Sequence, residues 1–220
     1  MKKTIIFGNG EFASIAKYYF SDREIKFFCV DDQFYKDNTF ENVPLIPQSE
    51  LLEMDKSSLE LFVSLSYKKM NTIRANKYLE LKQLGFKFTS FVHKKSYISK
   101  ESNIGENCFI LENQNIQRNV KINNNVFMWS GNHIGHNSVI KDHTYMSSHV
   151  VVSGNCDIGE KCFFGVNSAV KDSTIIGDEC MIGMGATVIK NLKKGSVVVS
   201  EKTKIYESEE RISKLIKDKI

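Results

Sequence analysis

The sequence has only two prolines, Pro44 and Pro47, and none in the long remainder of its 220 residues. It has no apolar run approaching eighteen residues, which excludes a membrane-spanning helix. Its start, MKKTIIFGNGEF, has two lysines but only a short apolar run before Gly8. That run is too short for the core of a signal peptide and reads as a strand, so a cytoplasmic location is expected. The five cysteines form no C-x-x-C pair, which argues against zinc-ribbon and redox chemistry. The formal net charge is +4, too weak to point to nucleic acid. With 41% hydrophobic and 25% charged residues, the chain is neither disordered nor collagen-like.

What the sequence has instead is a period of six. From Val92 through Ile98, Ile104 and Ile110, and on to Val188, every sixth residue is apolar, seventeen in succession without an insertion. Chance would give such a run roughly once in a million trials, and neither a helix nor an ordinary strand has this period. The next residue is often glycine, as at Gly105, Gly135, Gly159, Gly165, Gly177 and Gly183. Four residues past the apolar position the side chain is usually small or branched. Cys108, Cys156, Cys162 and Cys180 all fall in that slot, so packing accounts for them.

Over about residues 92–190 the pattern resembles the hexapeptide-repeat family of left-handed parallel β-helices. The resemblance implies one short strand per hexad and three hexads per triangular coil. The apolar residue then fills the prism, with glycine or asparagine relieving the corners. The left hand departs from the usual crossover rule and comes from the resemblance alone.

Before the repeat, strands alternate with helices. Residues 2–8 read as a buried strand, followed by an amphipathic stretch to Phe20. Residues 26–32 form a second strand ending at Asp31 and Asp32, and residues 59–66 a third. Residues 69–84 form a helix with Ile73, Tyr78, Leu81 and Leu84 on one side, and residues 87–92 a fourth strand. Gly8-x-Gly10-x-x-Ala13 after the first strand imitates a dinucleotide fingerprint. About 90 residues provide one mononucleotide-sized half, which favours a nucleotide-sugar over a dinucleotide. The expected architecture is an α/β Rossmann-like half domain (1–90), a left-handed β-helix (91–200) and a C-terminal capping helix (201–220) with Ile205, Ile212, Leu215, Ile216 and Ile220 among charges.

This two-part order, with GNHIGHNSVIKDHTYMSSHVVVSGNCDIGEKCFFGVNSAV and IGMGATVIKN, resembles bacterial sugar acyltransferases of surface-glycan biosynthesis. They include bacillosamine-pathway N-acetyltransferases and sialic acid O-acetyltransferases. The resemblance implies a homotrimer with acetyl-CoA between neighbouring β-helices and a nucleotide-linked amino sugar at the N-terminal domain. It places the general base at His136, with the backbone N–H of Gly154, one coil above, near the thioester. Relatives often have an acid after this histidine. Here Asn137 stands there, an amide that can still accept a hydrogen bond. His143 and His149 are candidates for pocket polarity, and Asp142 for orienting a histidine. His149, Gly165, Gly183, Ala186 and Lys190 are the expected acetyl-CoA contacts, and Gly8, Asn9, Gly10, Asp31 and Asp32 the sugar-nucleotide contacts. No metal is expected.

An amine acceptor and a hydroxyl acceptor both fit, the weaker partner at Asn137 favouring the amine. A zinc site of three histidines shared between subunits, as in β-helical carbonic anhydrases, leaves the N-terminal domain unexplained. A scaffold without catalysis leaves unexplained the confinement of His133, His136, His143 and His149 to about one coil.

Overall fold

A computed structural model describes residues 3–201. Of the capping helix expected at 201–220, all but the first residue falls outside them. In the N-terminal unit, the apolar segment β1 (Lys3–Phe7) lies between β2 (Ile25–Val30) and β5 (Leu59–Val63), parallel to both. With β3 (Thr39–Phe40) and β4 (Val43–Pro47) the sheet order is β3-β4-β2-β1-β5, and α1 (Glu11–Tyr19) connects β1 to β2.

The two prolines lie in a strand that the pattern did not announce. β4 (Val43–Pro47) runs parallel to β2, and its outer side meets only the two-residue β3 (Thr39–Phe40). Proline donates nothing to a ladder and is confined to such margins and strand ends. Pro47 then leads directly into α2 (Gln48–Leu52).

Two expected elements differ in the structure. Residues 87–92 are not one strand. Phe88 bridges to Leu61 on β5, whereas Phe91 and Val92 pair with Phe109 and Ile110 of the next coil. The segment therefore passes from one sheet to another. In α3 (Thr72–Gln83), Tyr78 and Leu81 are buried, but Ile73 and the following Leu84 are 42% and 39% exposed. Arg74 and Ala75 are buried instead. α3 packs on the sheet with one face and on the coils with another, so a single apolar stripe does not describe it.

From Phe91 to Val198 the chain winds into a three-faced parallel β-helix of two-residue strands, seven, six and five to a face. The period-six residues point inward. From Ile110 to Val188 each is at most 3% exposed, while Val92, Ile98 and Ile104 at the open end are less covered. The small slot has a hydrogen-bonding task. Ser138 Oγ donates to Ser153 O at 3.0 Å, Thr144 Oγ1 to Gly159 O at 3.0 Å and Cys162 Sγ to Gly177 O at 3.3 Å. Cysteine here does the work of serine. Burial pushes the Cys108 and Cys162 thiols up to about 12, so neither is a nucleophile at neutral pH.

At the corners asparagine is commoner than glycine. The left-handed residues recur every six positions from Asn107 to Gly185, and half of them are asparagine, with His143 and His149 among the rest. These side chains tolerate that region better than most. The glycines that follow the inward residues serve close approach. A Cβ at Gly135 would lie 2.4 Å from Gly154 N in the coil above.

One outer face joins the two units. Phe91, Phe109, Phe127, Tyr145 and Phe163 stack every eighteenth residue along it. They share a core with Phe12, Phe20 and Phe62, and Phe62 lies 5.7 Å from Phe127 with rings 4° apart. Each buried ring contributes about 1.5–3 kcal/mol.

Candidate functional site

His136 lies in the turn between the strands His133–Ile134 and Val139–Ile140. This corner is opposite the aromatic face. Its backbone is held at both ends: the N–H donates to Gln117 Oε1 at 2.9 Å, and the carbonyl accepts from Asn155 N at 2.8 Å. The ring Nδ1 lies 3.2 Å from the same Gln117 oxygen. One coil above, the imidazole rests against Gly154. A Cβ at Gly154 would come within 2.5 Å of Cε1 and 2.9 Å of Nδ1 and Nε2. The ring therefore occupies the room that a side chain would take. Gly154 accepts from Ser173 N, and its own N–H meets no acceptor among the described residues. The corner presents an outward imidazole beside an unpaired backbone donor, a pairing suited to proton removal next to a developing oxyanion.

Asn137 does not orient this histidine. It adopts φ +59° at the corner, and its amide belongs to a ladder: Asn119 donates to it at 3.2 Å, and it donates to Asn155 at 3.0 Å. The His136 ring and backbone instead meet Gln117. Its signal was positional, since Gln117 follows the inward Ile116 where many hexads have glycine.

The other histidines part company. His149 is exposed at the neighbouring corner, above Gly131, whose Cβ would lie 2.6 Å from its Nδ1. His133 lies on the outer face between these corners, paired with Asn115 and Val151. His143 is neither pocket nor surface. It is buried against α3, its Nδ1 2.9 Å from Asn125 Nδ2, and its carbonyl accepts from Arg74 at 2.9 Å. Burial lowers its pKa from 6.5 to about 4; Asp142 works against the shift, and Arg74, Lys161 and Lys82 add to it. Asp142 accepts from Asn124 N at 2.7 Å and so ties coil to coil. Arg74 itself is fully buried, stacked 4.2 Å from the Phe127 ring centroid, and burial lowers its pKa to about 9.

Among the expected acetyl-CoA contacts, Ala186 points into the prism and is 1% exposed. Gly165 and Gly183 are accounted for by coil stacking, since a Cβ at either would lie 2.5 Å from Met184 N or 3.1 Å from Val198 O. Lys190 is exposed, close in sequence to the exposed Ile189, and the upper coils also expose Val151, Val166 and Met184.

The sugar-nucleotide candidates gather at the C-terminal edge of β1 and β2. Gly8 has φ +131°, and a Cβ there would lie 2.9 Å from Ser64 O. Asn9 is exposed, and Gly10 precedes α1 with nothing within 4 Å of its Cβ direction. Asp31 is paired with Lys77. Burial works to lower the Lys77 pKa, but the bonds to Asp31 and Glu80 outweigh it and leave it raised. Asp32 accepts from Ser49 N at 2.9 Å, which holds its carboxyl below the ordinary value. Both acids thus already have protein partners. A cleft of about 530 Å³ beside Tyr19, His93, Lys94 and Glu112 contains none of the expected residues. Among the described residues, no three His, Cys, Asp or Glu side chains converge as metal ligands within the chain, and no helix is long and apolar enough to cross a membrane.

The family model described as hexapeptide repeat of succinyl-transferase matches residues 157–190. A search of curated proteins by sequence finds no match. The fold is shared with the acetyltransferase domain of PglB from Neisseria gonorrhoeae, at TM-score 0.79 and 18% identity over 90% of this chain and 96% of that one. It is shared equally with PerB from Caulobacter crescentus, solved with CoA and GDP-perosamine, at TM-score 0.79 and 18% identity over 90% and 93%. WeeI from Acinetobacter baumannii matches at TM-score 0.58 and 17% identity over 91% and 97%. The chain therefore has the fold of these proteins along nearly its whole described length.

Proposed function

We propose that the chain is an acetyl-CoA-dependent N-acetyltransferase acting on the amino group of a nucleotide-linked amino sugar, with His136 as general base. The observation that carries this reading is the His136 imidazole, anchored by Gln117 and seated on Gly154 beside a backbone N–H without an acceptor. Support comes from the shared fold: one such protein was solved with acetyl coenzyme A, and another with CoA and GDP-perosamine.

Acetyl-CoA supplies an acetyl thioester as the electrophile. His136 takes the proton that the amine loses as the C–N bond forms and the C–S bond breaks. Gly154 N–H faces the carbonyl oxygen as it gains charge. The partner of His136 is a neutral amide rather than a carboxylate, which suits an amine, since an alcohol needs stronger base assistance. The exposed Val166, Met184 and Ile189 with Lys190 fit an extended pantetheine arm and a phosphate better than the buried Ala186 does.

The N-terminal unit, a Rossmann-like half with parallel order β4-β2-β1-β5, holds the sugar-nucleotide at its Gly8–Gly10 edge. It packs on the aromatic face, whereas His136 occupies the opposite corner. One chain's acceptor site is thus separated from its own base by the prism. The reading accordingly includes a left-handed β-helical homotrimer in which a neighbouring subunit supplies the base.

Thiol release from acetyl-CoA tests the reading with a panel of nucleotide-linked 3-amino and 4-amino sugars and their hydroxyl counterparts. Release with an amino sugar is expected. Release with hydroxyl acceptors alone would overturn the N-acetyl assignment.

A further inference from the structure

We propose that Gln117 is a positioning residue that fixes His136 as the tautomer with its proton on Nδ1 and its lone pair on Nε2. The inference deepens the reading of His136 as a base. Its physical content stands on hydrogen bonding alone.

A glutamine amide has one accepting end and one donating end, and the choice between them follows from its partners. Here one partner is a backbone N–H. The His136 N–H has a hydrogen that cannot move, so the group 2.9 Å away is the amide oxygen. The same oxygen lies 3.2 Å from the ring Nδ1. An oxygen that can only accept attracts Nδ1 only when Nδ1 carries a hydrogen. A neutral imidazole has one such hydrogen, so the lone pair is on Nε2.

The backbone gives this choice its rigidity. Asn155 N holds the His136 carbonyl at 2.8 Å, and the ring lies flat against Gly154. Turning the ring over would exchange Nδ1 for a carbon at Gln117. Glycine at position 117, as at Gly105 and Gly135, would leave the ring without this acceptor. Because the partner is uncharged, it selects the tautomer without the added pull of a carboxylate on the imidazolium.

The test is a long-range 1H–15N correlation spectrum of the imidazoles in the full-length protein, labelled with 15N-histidine and without substrate. His136→Asn assigns the signal. The wild-type ring is expected to carry its proton on Nδ1. In Gln117→Ala the Nε2–H form, favoured in free imidazole, should become the major one. In Gln117→Glu the Nδ1–H form should persist, with a titration midpoint about one unit or more above the wild type. In the acetyl-transfer assay, Gln117→Ala should lower kcat about tenfold or more with KM changed less than about twofold, and Gln117→Glu should move the acidic limb of the pH profile upward. An Nε2–H ring in the wild type, an unchanged tautomer in Gln117→Ala, or an unmoved midpoint in Gln117→Glu overturns the proposal. The spectra need no acceptor sugar, so failure of the acetyl-transfer reading leaves this test standing.

Discussion

Acidification should loosen the joint between the two units at one residue, His143. The ring is buried in a left-handed corner with φ +65°, and its neutral Nδ1 accepts from Asn125 Nδ2 at 2.9 Å. Protonation would set two donors face to face beside the buried guanidinium of Arg74. Burial, the main cause, lowers the folded pKa from 6.5 to about 4. Between those two values the unfolded chain binds more protons than the folded one, so stability falls as pH falls through this window and levels off below about 4. At ~1.4 kcal/mol per unit the full displacement is worth about 3 kcal/mol. The control is His143→Asn, because asparagine suits this backbone and already occupies half of the equivalent corners. Urea unfolding by circular dichroism, at fixed protein concentration from pH 7 to pH 4, measures both proteins. Carboxylates titrating in the same window act equally in the two and cancel in the difference. The wild type should lose about 3 kcal/mol more than His143→Asn across the range. Parallel stability curves would show that His143 is not the group that titrates.

Two further substitutions probe the site and the joint. Gly154→Ala places a methyl within 2.5 Å of His136 Cε1. The backbone there is not left-handed, so unfolding should stay within ~1 kcal/mol of the wild type while acetyl transfer falls about 100-fold from the displaced base. Arg74→Met removes the guanidinium that stacks on Phe127 and strips the donors from the carbonyls of Asn125 and His143. A loss of about 2–4 kcal/mol in urea unfolding is expected.

The coils were legible because one geometric rule, an inward residue every sixth position, recurs without interruption from Val92 to Val188. The stacking of Gly154 over His136 was legible through the eighteen-residue step between coils, whereas the role proposed for His136 came from the resemblance. Gln117 was not legible, because its meaning depends on which residue stacks above it. The aromatic column was visible in principle, but it is met only at every third hexad, so a search in sixes passes over Phe109 and Phe127. β4 was hidden by Pro44 and Pro47, which weaken any strand signal where β3 covers the margin. The buried side of α3 was illegible for a different reason. Arg74 is satisfied by carbonyls at Asn125 and His143, 51 and 69 residues away, and no local pattern announces such partners. The acids Asp31 and Asp32 were correctly placed at a strand end, but Lys77 and Ser49, which engage them, come from other elements.

In the proposed reaction His136 removes a proton during acetyl transfer to a sugar amine. The most direct test is the initial rate of thiol release from acetyl-CoA, in the presence of the nucleotide-linked amino sugar panel, for wild type and His136→Ala at pH 7.5. Amine-dependent release by the wild type is expected, with a fall of about 100-fold or more in His136→Ala and the folded structure retained. Full activity in His136→Ala would contradict this role.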